Sequence, residues 1–149
     1  MHKTIVEVTF IDEVEIFRVH ELSYFLWHLK IVYSWLTKNF PEIIEIKEFK
    51  QSYEMALKIA RILKLKGIRV RDLARLFHID LKEYDLFIYN IRKDSPLTIW
   101  FMGITTILII CFIISGGEIE MSVVPPRIKI KMSSLGEGIK RLKEALKWK

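Results

Sequence analysis

Residues 97–114 read LTIWFMGITTILIICFII, a stretch of 18 residues without a charged side chain. As a single helix it would extend roughly 27 Å at about 1.5 Å per residue, close to the roughly 30 Å hydrocarbon core of a bilayer. Eleven of its residues are Ile, Leu or Phe, and each of these favours the bilayer centre by about 0.3–0.6 kcal/mol. The stretch therefore predicts a transmembrane helix. The alternative is the central buried helix of a small soluble fold.

The residues on either side of this stretch are typical of helix ends. Residues 94–96 (DSP) combine a capping side chain with a proline in the first turn, and residues 115–117 (SGG) are a strong stop signal. Positive charges precede the stretch closely, whereas the first one after it is Arg127. Because positive charges favour the cytoplasmic side of a membrane, we expect a membrane location with residues 1–95 in the cytoplasm.

Length and composition narrow the remaining possibilities. A chain of 149 residues suits one domain with appendages: a domain at 1–95, the apolar helix at 96–117 and a basic tail at 118–149. The single cysteine, Cys111, excludes an intrachain disulfide and a multi-cysteine zinc site. Charges among the first 20 residues argue against a signal peptide. The scarcity of amides beside many Lys, Glu and Ile favours a thermophilic source or an AT-rich genome.

Residues 1–95 are predicted to form a small α+β domain. Apolar and polar residues alternate in three places, which indicates strands, and recur at helical spacing in three others. The second helix should end at Gly67, after two lysines in its last turn. We expect the last strand to pair with the hairpin. The predicted elements are a β-hairpin at 4–10 and 13–18, helices at 21–38, 44–66 and 70–79, and a strand at 85–92.

The helix predicted at 21–38 has two apolar stripes on opposite sides, although a surface helix needs only one. The first stripe consists of Leu22, Phe25, Leu26, Leu29, Tyr33 and Leu36. The second stripe consists of Tyr24, Trp27, Ile31 and Trp35. Either the helix is packed between the hairpin and another helix, or the second stripe meets a partner, another copy or a bilayer surface. Since aromatic side chains are enriched at interfaces, these four residues are the candidate partner-contact site.

The tail at 118–149 continues the mixed pattern, with an extended segment at 119–124, a strand with a basic face at 127–132 and an amphipathic helix at 135–148. A basic amphipathic helix that carries a tryptophan is typical of a membrane surface. The alternatives are a helix packed on its own domain and a helix that contacts an acidic partner. The candidate membrane-interface residues are Trp100, Lys140, Arg141, Lys143, Lys147 and Trp148.

Residues 69–88 (RVRDLARLFHIDLKEYDLFI) resemble a helix-turn-helix motif. The apolar positions that carry the resemblance are Leu73, Ala74, Phe77, Ile79, Tyr84 and Phe87, and His78 stands where a turn glycine is common. The resemblance implies a second helix that enters the major groove of DNA. The side chains that this helix would present are Asp80, Lys82, Glu83 and Asp85. Because that surface is net acidic and would face phosphates, nucleic acid is not an expected partner.

Motifs that carry catalysis are not evident in the sequence. The four histidines form no H-E-x-x-H pair, and phosphate-binding, dinucleotide-binding and nucleophile-elbow glycine motifs do not occur. The carboxylates alternate with lysines along helices, which is typical of a solvated face. We therefore predict no catalytic residue, no metal ligand, no cofactor and no small-molecule substrate.

The predicted function is that of a non-enzymatic, single-pass membrane-anchored interaction protein, with a protein partner or a second copy of the chain. Three alternatives stay open. They are a soluble α+β domain with 97–114 as its core helix, a membrane-tethered regulator that uses the helix-turn-helix-like window, and an oligomerising effector that disrupts membranes.

Overall fold

A computed structural model of the chain describes residues 3–12, 19–46, 48–69, 86–92, 96–123 and 126–147. The α+β class predicted from the sequence is confirmed, with four helices and a five-stranded sheet in that part of the chain. In chain order the elements are β1 (Lys3–Phe10), α1 (Val19–Asn39), a 3-10 turn (Pro41–Glu45), α2 (Phe49–Lys66), β2 (Ile68–Arg69), β3 (Phe87–Arg92), β4 (Leu97–Ile104), α3 (Thr105–Ile114), β5 (Glu118–Val123), β6 (Pro126–Met132), α4 (Leu135–Ala145) and β7 (Leu146–Lys147).

The main sheet is mixed and has the spatial order β3-β4-β1-β6-β5. The central strand β1 runs antiparallel to β4 and parallel to β6, and hairpin pairs complete both sides. Strands from residues 1–95, 96–117 and 118–149 therefore belong to one sheet. The two short strands β2 and β7 form a separate parallel pair.

One face of the sheet is apolar because residues alternate along each strand. Val6, Val8 and Phe10 on β1 are fully buried. Their register partners are also buried: Phe101, Ile99 and Leu97 on β4, and Ile128, Ile130 and Met132 on β6. We call this side the helix-covered face, since α1, α3 and α4 pack against it.

Aromatic contacts connect the helices to this face. The ring centre of Phe25 on α1 lies 5.3 Å from that of Phe10 on β1, in an edge-to-face arrangement. The ring centre of Phe112 on α3 lies 5.4 Å from that of Phe101 on β4. Helix α2 packs on the far side of α3, so α3 is enclosed by the sheet and by its neighbouring helices.

The stretch 97–114 is a strand followed by a helix, not one helix. Leu97–Ile104 forms β4 and Thr105–Ile114 forms α3, whose 10 residues extend only about 15 Å. Among the described residues, the helices lack the combination of length and apolar character that crossing a bilayer requires. The predictions of a transmembrane helix, of single-pass anchoring and of a membrane location are therefore wrong. The structure instead favours the alternative in which this stretch belongs to the core.

Burial explains most of the apolar character of this stretch, although Trp100 and Met102 on the second face of β4 are only partly buried. Strand β4 lies between β3 and β1, and nine of the ten α3 residues are buried. A buried strand and a buried helix both require apolar side chains, so an apolar run does not distinguish them. The helix start predicted at residues 94–96 is also wrong, because a strand begins at Leu97.

Helix α1 holds the junction between β4 and α3. The buried hydroxyl of Tyr33 accepts a hydrogen bond of 2.9 Å from the backbone N–H of Ile104, the last strand residue. A Cβ atom at Gly103 would lie 2.9 Å from the same hydroxyl oxygen. Glycine at this position therefore lets α1 approach the strand closely.

Several local predictions are confirmed. The structure contains the first strand and the helix near 21–38. The second helix ends at Gly67 and α3 stops after Ile114, as predicted. Gly67 and Gly116 have positive φ angles of 77° and 89°, which glycine adopts without a steric penalty. In the tail, the extended segment, the basic strand and the helix appear as β5, β6 and α4.

Other predictions need correction. The second helix begins at Phe49 and not near residue 44, because Pro41 begins a separate 3-10 turn. Strand β3 lies within the predicted range but pairs with β4, not with a hairpin at β1. The final helix ends at Ala145. The predicted strand at 13–18 and the predicted helix at 70–79 lie outside the described residues.

Candidate binding face of the sheet

The second face of the sheet, which we call the open face, carries the side chains that alternate with the buried set. In the described part of the chain the helices lie on the other side, and most side chains of the open face are partly or fully exposed. Polar and charged residues dominate near β5 and β6, whereas the half near β3 and β4 combines apolar and aromatic residues (Phe87, Trp100, Met102) with polar ones (Asn90, Arg92, Thr98). The open face thus has two chemically different halves.

The strand register arranges these side chains in rows across the sheet. The middle row places Trp100 opposite Glu7, Glu7 opposite Lys129, and Lys129 opposite Glu120. One neighbouring row contains Phe87 opposite Met102, and Arg127 opposite Ser122. The row on the other side pairs Arg92 with Thr98, and Lys131 with both Thr9 and Glu118.

Trp100 lies in the middle row of the open face, on β4 beside the central strand β1, and is held at two points. Its indole Nε1 donates a hydrogen bond of 3.1 Å to Oε1 of Glu7. The guanidinium carbon of Arg92 lies 5.7 Å from the centre of the indole ring, a cation–π contact that contributes about 0.5–1 kcal/mol at an exposed site. The ring is therefore oriented before any ligand arrives.

A groove of about 660 Å³ runs over Trp100 and Glu7. Its volume is within the range of ligand sites. A second recess of about 300 Å³ adjoins it on the β5 side and shares Arg127 and Lys129. The residues that line the larger groove are Thr4, Ile5, Glu7, Trp100, Met102, Arg127, Ile128 and Lys129.

Three basic side chains lie along β6 on the open face: Arg127, Lys129 and Lys131. Successive members are two residues apart, about 6.6 Å along a strand. Nζ of Lys131 forms an exposed salt bridge of 3.1 Å with Oε1 of Glu120, a kind of pair worth at most about 1 kcal/mol. Arg127 and Lys129 form no salt bridge within the described part of the chain. Both side chains are exposed.

The groove combines an oriented indole with one carboxylate and two basic side chains. Its one carboxylate, Glu7, already accepts a hydrogen bond from Trp100. Among the described residues, His, Cys, Asp and Glu do not gather in a group of three that could hold a metal ion. Among the residues that the structure describes, Cys111 and Tyr33 have clearly raised pKa values, chiefly because both are buried. Both lie in the core on the helix-covered side.

The four predicted partner-contact residues do not form one surface. Tyr24 and Trp27 are 53% and 49% exposed, whereas Ile31 is buried at 8% exposure. Trp35 is only partly exposed, and its ring packs edge-on against Phe40 with 5.9 Å between centres. The divided exposure arises because the C-terminal half of α1 is enclosed by its neighbours.

The predicted membrane-interface residues are also dispersed. Trp100 lies in the middle of a strand, so its assignment to the interfacial end of a membrane helix is wrong. Lys140, Arg141 and Lys143 are exposed on α4. Arg141 pairs with Glu137 at 3.0 Å, and Nζ of Lys143 lies 5.7 Å from the ring centre of Tyr24. Lys147 belongs to β7, and Trp148 lies outside the described residues.

Sequence reasoning missed Glu7, Arg92 and Met102 as members of one site. They come from three strands, and only the register brings them together. The alternation in β1 and the basic face of β6 were detectable signals. Most of the helix-turn-helix-like window, residues 70–85, lies outside the described residues. Comparisons with protein-family models, with curated proteins and with solved structures find no match to this chain.

Proposed function

We propose that this chain is a non-enzymatic interaction protein that binds its partner on the open face of the sheet. The observation that carries the proposal is Trp100, which is oriented by Glu7 and Arg92 at the centre of a groove on a face that the described helices leave uncovered. Tryptophan and arginine are enriched among the residues that supply most of the binding energy at interfaces.

Preorganisation supports this assignment. Ordering a long side chain on binding costs about 0.5–1.5 kcal/mol, and the contacts of Trp100 reduce that cost. Ile5, which lines the same groove, is 40% exposed. Apolar side chains grouped around an oriented indole provide area that a partner can bury.

Photo-crosslinking tests the proposal. The photoreactive residue benzoylphenylalanine is introduced at Ile5 in the full chain, and crosslinks are induced in cells of the source organism. The matched control places it at Leu57 on α2, which has a similar exposure of 37%. We expect a discrete macromolecular adduct from position 5 and none of comparable yield from position 57. Absence of an adduct at position 5, or equal yields at both positions, would contradict the proposal.

The exposed end of α1 is a second candidate surface. Tyr24 and Trp27 remain half exposed, and Lys143 of α4 lies beside the Tyr24 ring. This pair is the part of the predicted contact stripe that a protein partner could still reach. A third crosslinking position, Trp27, tests it. An adduct at 27 together with none at 5 would favour α1 over the open face.

A further inference from the structure

We infer that the ligand of the open face is a single-stranded nucleic acid, whose bases contact the Trp100 half and whose phosphates contact Arg127 and Lys129. The inference rests on the proposed function, because it names the partner of the same face. It differs from the sequence-based expectation, which concerned the acidic helix of the helix-turn-helix-like window and not this surface.

The β3–β4 half of the open face provides surfaces on which bases can stack. Trp100 is the central ring, Met102 lies two residues along the same strand, and Phe87 is the register partner of Met102. Arg92, beside the indole, adds a planar guanidinium, a group that also stacks on bases. Stacking on aromatic side chains tolerates any sequence because every base has a π face.

The β6 strand provides the matching charges. Arg127 and Lys129 are about 6.6 Å apart along the strand, which is close to the separation of successive phosphates in an extended single strand. Strand β1 separates β6 from β4, so the basic and aromatic columns are about 9.6 Å apart. With the reach of the Arg and Lys side chains, this distance suits a phosphate on one column and its base on the other.

Strands β1 and β5 place three carboxylates on this face, Glu7, Glu118 and Glu120, of which Glu118 is exposed. Glu7 accepts the hydrogen bond from Trp100, and Glu120 pairs with Lys131. Arg127 and Lys129 are the basic side chains of β6 without a salt bridge among the described residues, and we assign the phosphate contacts to them. Two phosphate contacts predict a modest dependence on salt, with a slope of log K against log salt concentration of about −1.4 for a single strand.

The shape of the face favours single strands over duplexes. Bases stacked inside a duplex cannot reach a flat aromatic platform, and the major groove admits a helix or a two-stranded ribbon but not a five-stranded sheet. An unpaired strand can turn its bases onto Trp100 while its backbone follows β6.

Fluorescence anisotropy tests the inference with the full chain and a fluorescein-labelled, mixed-sequence oligonucleotide of about 15 nucleotides, a length near the upper site size of known single-strand modules. DNA and RNA versions are titrated between about 50 and 200 mM salt, the range over which phosphate contacts change affinity most clearly. We expect binding to either single strand at low salt, at least about tenfold tighter than to the corresponding duplex.

Variants assign the contacts. Trp100→Ala should weaken binding at least about fivefold, the lower limit for loss of one stacked base, and Trp100→Phe should recover part of that loss. Arg127→Ala with Lys129→Ala should weaken binding and bring the salt slope close to zero. The matched control is Lys58→Ala with Arg61→Ala, at exposed positions of α2. It removes the same charge and should leave the slope unchanged. Circular dichroism verifies that each variant is folded.

Two results would overturn the inference: no anisotropy change with either single strand, or equal losses from the β6 and α2 double variants.

The crosslinked adduct at position 5 separates this failure from failure of the proposed function. An adduct removed by nuclease supports both. An adduct removed only by protease retains the open face as a contact surface but replaces nucleic acid with a protein partner or a second copy of the chain. No adduct contradicts the proposed function itself.

Discussion

Tyr33 is the residue on which the junction between β4 and α3 most directly depends. Its hydroxyl oxygen is the hydrogen-bond acceptor for Ile104 N–H, at a point where the chain changes from strand to helix. The adjacent Gly103 has no side chain that would separate α1 from the strand. Tyr33 and Gly103 are far apart in sequence, and their sizes are thus complementary at this contact.

Tyr33→Phe should lower the free energy of unfolding by about 1–3 kcal/mol, the cost of leaving a buried N–H without a partner. Urea denaturation monitored by circular dichroism measures the change. Tyr53→Phe is the control, because the hydroxyl of Tyr53 has no hydrogen-bond partner in the described part of the chain. An equal effect at both positions would show that the Tyr33 hydroxyl has no special role.

Gly103→Ala should destabilise the protein by about 1–3 kcal/mol, as overpacking does in a core. The new Cβ would lie 2.9 Å from the Tyr33 hydroxyl oxygen, and the next atoms are 3.3 Å away. At Gly136 the nearest atom lies 3.9 Å from an added Cβ, so Gly136→Ala should be neutral or stabilising by up to about 1 kcal/mol.

The same glycine offers a test of coupling. In a Tyr33→Phe background the closest atom is absent, so Gly103→Ala should cost less than it does in the wild type. Residues in contact show coupling energies of about 0.5–3 kcal/mol in such cycles. Additive effects would mean that the close approach seen at this junction does not limit stability.

At the scale of elements, neighbours and caps decide where each segment begins and ends. Helix α3 begins after Ile104 without a capping side chain, and it is held by packing on all sides. Helix α4 is different, because it has a local start signal. Oγ of Ser134 accepts a hydrogen bond of 3.1 Å from the backbone N–H of Glu137.

Ser134→Ala should cost about 0.5–2 kcal/mol, since it removes the N-cap of α4. Ser134→Asp keeps an acceptor at the cap and should retain most of the stability. The exposed Ser122 on β5 provides a control, and Ser122→Ala should change the free energy of unfolding by less than about 0.5 kcal/mol. Thermal and urea denaturation measure all three. A loss in Ser134→Asp as large as in Ser134→Ala would argue against the cap.

At the scale of the whole molecule, Cys111 reports on the integrity of the core. It is fully buried in α3, and burial raises the pKa of its thiol. A thiol reagent should therefore modify it only when the molecule opens globally. We expect negligible labelling of the native chain, complete labelling in denaturant, and rapid labelling of a Ser122→Cys variant at its added surface thiol. Rapid modification of native Cys111 would mean that α3 is not enclosed.

The same thiol links stability to pH. Because its pKa is raised in the folded state, the unfolded chain loses this proton first as pH rises above about 8.5. The contribution of this thiol to the free energy of unfolding is thus present at neutral pH and is lost at alkaline pH. Burial also raises the pKa of Tyr33, which acts in the same direction above about pH 10. Urea denaturation from pH 7 to pH 10.5 should show falling stability, with a smaller decrease in Cys111→Ala.

Local signals were sufficient wherever a segment has one apolar face or a clear cap. Strand β1 alternates, α1 has helical spacing, and Gly67 and Gly116 end helices with positive φ angles. The basic alternation of β6 was likewise readable. These features depend on residues within a few positions of each other, so they survive without knowledge of the fold.

The stretch 97–114 could not be assigned in this way, because most of its residues are buried and an apolar run fits a buried strand and a buried helix equally well. Its division follows from pairing with β1, whose register partners lie 87 to 101 positions away along the chain, and from the contact with Tyr33. The open face likewise depends on long-range pairing, because its rows of side chains are set by the register of five strands. The sequence alone specifies the α+β class, most element types and the glycine stops after α2 and α3. Only tertiary packing decides that the most apolar run lies in a core and that Trp100, Glu7 and Lys129 stand side by side.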